Sequence, residues 1–174
     1  MKFFINLLYL LCFVFFTSHN LNADTPHFVD FRYVLNESVA GKKAQTDLKK
    51  RLEKNLKEFQ GKEKTLQESE KKIIQQKKII TPEEYKKKVQ ELRAQVSKLQ
   101  TDRNKFLETI SKQRQKAKNE LLKNVNPIIE NYMKSKGINM VIDKRNILVA
   151  SKNFDITKEV IKLLNEKVKT VSYK

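Results

Sequence analysis

Apolar positions change their spacing along the chain, and each change marks an element. Residues 3–16, FFINLLYLLCFVFF, are apolar except for Asn6. In FVDFRYVLNES (28–38), Phe28, Asp30 and Arg32 alternate with Val29, Phe31 and Tyr33. That alternation predicts a short strand with one apolar, aromatic face. From about Asn36 the pattern turns helical. Leu52, Phe59, Leu66 and Ile73 recur seven apart, with Leu48 and Leu56 beside them, while Asn55, Lys62, Ser69 and Gln76 are polar. The result is a thin heptad seam, with about one apolar contact per heptad.

The segment TPEE (81–84) breaks this helix and starts another. Thr81 is placed to cap, Pro82 sits where its missing N–H costs nothing, and Glu84 completes a capping box. Thr81 is also pushed out of helical geometry by the proline after it. One helix therefore stops near residue 78 and the next starts at 82. In the second, Tyr85, Val89, Leu92, Val96, Leu99, Arg103, Phe106, Ile110, Gln113 and Ala117 fall at alternating spacings of four and three. Such spacing is a coiled-coil seam. Pro127 is expected to kink or loosen this helix, and Gly137 to end it. Two long helices with so short a connection predict an antiparallel hairpin with its tip near 77–82. With stripes this narrow, each helix needs the other.

After Gly137 the chain returns to short apolar runs. NMVID and ILVAS, joined by Lys144-Arg145-Asn146, read as a β-hairpin. Asp155 is placed to cap a last helix with Ile156, Val160, Leu163, Leu164, Val168 and Val171 on one face. The fold class is therefore α+β, mostly α: a helical-hairpin arm over 38–136 on a small β-rich base formed by 24–37 and 137–174. Val29, Phe31, Met140, Ile142, Ile147 and Val149 are the expected packing residues of that base. So few short elements give a single chain too little core to support long arms, which points to an oligomer.

The first 23 residues have the layout of a secretory signal peptide: Lys2, the apolar run, then TSHNLNA before Asp24. Cleavage is expected between Ala23 and Asp24. The run is shorter than the ~20 residues of a membrane span. Cys12 is preceded by leucines, so it is not a lipidation site, and the chain after Ala23 has no cysteine. That remainder carries 36 Lys and Arg against 20 Asp and Glu, a net charge of +16. Such basicity raises nucleic acid as a partner, but export would separate the chain from the genome. Membrane surfaces, lipopolysaccharide and acidic proteins are the polyanions that remain.

Catalytic chemistry has little to draw on. One histidine, His27, follows Ala23, and nothing places a serine by it. No cysteine is available as nucleophile or zinc ligand, and there is no glycine-rich phosphate loop. The reading is of a protein that is not an enzyme and uses no cofactor.

VDFRYVLNESVAGKKAQTDL (29–48) resembles the N-terminal signature of the Skp (OmpH-like) family of periplasmic chaperones. INMVIDKRNILVASKNFDITKEVIKLL (138–164) resembles that family's C-terminal end. The resemblance implies a homotrimer with a shared β-rich base, whose three arms enclose unfolded outer-membrane proteins without ATP. It also implies a periplasmic location, and for some members an interaction with anionic lipid or lipopolysaccharide. Physically, the arms suit that task. Residues 42–80 carry +7 and residues 83–123 carry +6, beside an apolar seam. Long-range attraction and many weak contacts give capture without a fixed epitope.

Two readings fit KKIIQQKKII (71–80) and YKKK (85–88). Lys71, Lys72, Ile79, Ile80, Tyr85, Lys86, Lys87 and Lys88 form a tip that contacts unfolded clients or lipid. Alternatively the lysines solvate the coiled coil while Ile73, Ile74, Ile79 and Ile80 close the hairpin end, the preferred reading for the isoleucines. Two rival functions stand beside the chaperone: a basic coiled coil that binds nucleic acid, and a scaffold held in the membrane by an uncleaved N-terminus.

Overall fold

The computed structural model describes residues 25–173; the expected signal peptide and its expected cleavage point between Ala23 and Asp24 lie outside them. Strand β1 (His27–Val29) is followed by helix α1 (Phe31–Glu37). The alternating segment thus does not continue as a strand beyond Val29. Asp30 stops it: its carboxylate accepts the Tyr33 N–H at 2.9 Å and caps α1. The helical face then buries Val34 completely, with Phe31 and Leu35 packed against the same core. An aspartate three residues before a backbone donor outweighs an alternation of only six residues.

Helix α2 (Val39–Gln76) starts at a sharp bend, where Ser38 is extended and its hydroxyl accepts the Gly41 N–H at 3.2 Å. Helix α3 (Pro82–Lys136) opens with the expected capping box between Thr81 and Glu84, and ends at Gly137 in the left-handed conformation, φ 66°. Helical geometry continues through Pro127. At 1.5 Å per residue, its 55 residues span roughly 80 Å.

The base also differs from the expected hairpin. Strand β2 (Val141–Asp143) pairs with β1 in parallel, His27 opposite Val141 and Val29 opposite Asp143. Asp143 ends β2, because its carboxylate accepts the Arg145 N–H at 3.0 Å and starts a single 3-10 turn, Lys144–Asn146. The ILVAS run that follows forms no strand. On its other edge β1 meets the chain at Asp155, and the Ile156 N–H donates to the Phe28 carbonyl at 3.0 Å. The last helix, α4 (Thr157–Lys167), begins there, with Asp155 accepting the Thr157 N–H at 2.9 Å.

One core holds these pieces. Val29 and Val34 pack with Leu121, Val125, Ile128 and Ile129 of α3, and with Val160 and Leu164 of α4. Two long-range polar contacts fix the joints. The Asp30 N–H donates to the buried Thr157 hydroxyl at 2.9 Å, and the Val39 N–H donates to the side-chain amide oxygen (Oδ1) of Asn165 at 2.8 Å.

Candidate interaction surface

Helices α2 and α3 touch along their lengths through a short series of residue pairs. Gln76 accepts from Lys88 Nζ at 2.7 Å, and Glu63 pairs with Arg103 at 3.0 Å. Phe59 and Phe106 meet edge to face with ring centroids 5.8 Å apart. Closer to the base, Arg51 donates to Gln113 at 3.0 Å. Burial is graded along this series. Leu48 and Phe59 on α2, and Ile110 and Ala117 on α3, are buried. Between Phe59 and Ile110, among the described residues, no side chain is buried. Leu66, Ile73, Leu92 and Leu99 reach only half-burial, whereas Ile74, Val96 and Leu107 are exposed. The expected seam is present, except at Val96, which faces water.

The predicted tip residues divide by environment. Lys71, Lys72, Lys86 and Lys87 are exposed, whereas Lys88 is held by Gln76. Tyr85 is half-buried, with the Lys77 ammonium 5.7 Å from its ring centre. Ile73 and Ile80 are half-buried; Ile74 and Ile79 face water, Ile79 being 83% exposed. The four isoleucines therefore do not act as one cluster.

The base residues divide too. Val29 is fully buried, Phe31 packs on the core, and Ile142 and Ile147 are half-buried. Met140 and Val149 do not pack within the chain, being 55% and 91% exposed. Leu148, beside Val149, is 103% exposed. Without a strand to sort its residues by face, the ILVAS run projects both apolar side chains. Its lack of any polar position from Ile147 to Ala150 was the available signal.

Electrostatics near this run are local. Arg145 clasps Asp143 at 2.7 Å, and this hydrogen bond holds the Asp143 carboxyl below its ordinary range. Lys144 reaches Asp30 at 3.3 Å. His27 stacks edge-on against Phe154, with ring centroids 5.5 Å apart. Among the described residues, no group of three or more His, Cys, Asp or Glu is arranged to hold a metal ion. No described helix is long and apolar enough to cross a membrane.

Comparison with known proteins agrees with this architecture. The profile of the outer membrane protein (OmpH-like) family matches residues 27–164. No curated protein matches the sequence. Among solved structures, a crystal structure of a candidate outer membrane chaperone (OmpH-like) from Caulobacter crescentus CB15 superposes with a TM-score of 0.79. The likeness covers 86% of this chain and 90% of that one at 19% sequence identity, and so speaks for the fold. The family match extends from β1 through both long helices to Leu164, within the last turn of α4, and the chain belongs to the OmpH-like outer membrane protein family.

Proposed function

We propose that this chain is an ATP-independent holdase of the periplasm, which binds unfolded outer-membrane proteins and keeps them from aggregating on their way to the outer membrane. The observation that carries the reading is the distal arm: a long, basic surface whose apolar seam stays half in water. Side chains that are neither buried nor fully solvated offer many weak contacts to an unfolded chain. Excess lysine draws clients in from a distance. The name of the Caulobacter relative supports the same activity.

In this reading residues 1–23 are removed at export and the chain starts at Asp24. Residues 38–136 act as an antiparallel arm. Support comes from the residue pairs, whose numbers rise on α3 as they fall on α2. Residues 24–37 and 137–174 serve as the trimerisation base, supported by the exposed Met140, Leu148 and Val149, which need a cover. Anionic lipid or lipopolysaccharide is at most a secondary partner, and nucleic acid is not a physiological one.

Gel filtration of a urea-diluted outer-membrane barrel protein with the chain tests the proposal. The unfolded barrel is expected to co-elute with it, and the folded barrel to elute alone. Equal retention of both would contradict a holdase. Tight retention of DNA but not of the unfolded barrel would favour the nucleic-acid-binding coiled coil instead.

A further inference from the structure

At the root of the arm, α2 and α3 leave a cavity of about 590 Å³ walled by Ala44, Leu48, Ala117 and Leu121. Lys49, Arg114 and Lys118 stand on its rim, all exposed to water. Among the described residues, Arg114 and Lys118 have no carboxylate partner. The cavity's last wall is Val171, which belongs to the tail after α4. This tail has no regular structure over the described residues 168–173 and lies beyond the family match, which ends at residue 164.

The tail is held loosely. Val171 is half-buried on the core, and the Tyr173 hydroxyl donates to the Asp47 carboxylate at 3.2 Å. Thr170 and Ser172 are exposed, and a second gap of about 450 Å³ separates residues 170–173 from Ala40, Lys43 and Ala44 of α2. Its charge also suits the place poorly. Lys167 and Lys169 are cations, no acidic residue follows Glu166, and the rim beside it is cationic. An apolar wall under a basic rim, where Lys49 reaches Glu53 at 3.9 Å but Arg114 and Lys118 lack a carboxylate partner among the described residues, matches a segment that alternates apolar side chains with carboxylates. The resident tail supplies only the apolar part.

We propose that this groove is a docking site for an extended apolar, carboxylate-bearing segment of an unfolded chain, and that the C-terminal tail is its displaceable competitor. The inference rests on the holdase reading for its biological occupant, but the groove can be tested by itself. A segment that moves Val171 aside gains the cavity walls and charge-assisted contacts to Arg114 and Lys118. Removing the tail abolishes the competition, so apparent affinity rises by the inverse of the fraction of time the groove is open.

The probe is a short fluorescein-labelled peptide alternating leucine and aspartate, followed by anisotropy against the full chain and against a chain ending at Lys169. Binding is expected to tighten roughly three- to tenfold on truncation, and to weaken with salt. Arg114→Glu with Lys118→Glu is expected to cancel the gain while leaving the circular dichroism spectrum unchanged. Equal affinity with and without the tail, or binding indifferent to the charge reversal, overturns the proposal. So does a change of assembly mass on truncation, since the groove would then house a second copy of the chain. Peptide binding without retention of an unfolded barrel would instead remove the holdase reading and leave the groove standing.

Discussion

Gly41 shows how a single atom can decide whether this base assembles. A Cβ there would lie 2.0 Å from the Leu35 backbone carbonyl oxygen and 2.9 Å from the Ser38 side-chain hydroxyl, so the backbone at Leu35 would have to shift. Gly41→Ala is therefore expected to cost about 1–3 kcal/mol, the range for overpacking. Urea unfolding checks it, and an unchanged midpoint would contradict it. Asp143 gives a second residue-scale expectation. Its folded pKa is lowered by Arg145, so the pair stabilises the folded state above the ordinary aspartate value of about 3.9. That contribution is lost as pH falls below it. Asp143→Asn should therefore lower stability at neutral pH and flatten the acid limb, the two chains converging as pH falls through that window; urea unfolding at several pH values checks it. Asp30 reads as a strand position in the sequence, because the alternation around it conceals its role as a cap. Gly41 was not legible, because its constraint is a carbonyl brought close by the bend at Ser38.

At the scale of elements, the arm divides at Phe59 and Phe106. Proximal to that pair the two helices bury Leu48, Ile110, Ala117 and Leu121; distal to it they bury none of the described side chains. Amide exchange should accordingly be slow over 40–59 and 110–129 and faster over 60–109, because few apolar contacts resist local opening there. Uniform protection would contradict the graded seam. Phe59→Ala should cost about 3 kcal/mol, whereas Val96→Ala, at a 51% exposed position, should stay within about 0.5 kcal/mol. Long helices were legible because their signals are local: the Thr81 box, Pro82 and Gly137 lie within a turn of the boundaries they set. The sheet was not. Parallel pairing of β1 with β2 brings together opposite ends of the chain, and two three-residue strands offer too few positions to show a period.

At the scale of the whole molecule, the arms rest on a base whose apolar run at Leu148 and Val149 has no cover within one chain. The proposed trimer would supply one, so on that reading Leu148→Asp is expected to lower the sedimenting mass from three chains to one without loss of helicity, since the side chain is fully exposed in the single chain. A trimer that survives the change would place the interface elsewhere. Position 142 offers a companion test with Ile142→Asp, which also perturbs β2. The resemblance of the chain's two ends made the family legible, whereas the division of labour along the arm emerged only from burial. Capture by basic arms and a half-solvated seam remains the central claim. Light scattering of a urea-unfolded outer-membrane barrel protein, diluted without ATP into a modest molar excess of the protein, tests it most directly. Scattering should stay near the buffer baseline at low salt and rise as salt screens the arms; aggregation as fast as in buffer alone, at every salt concentration, would contradict the account.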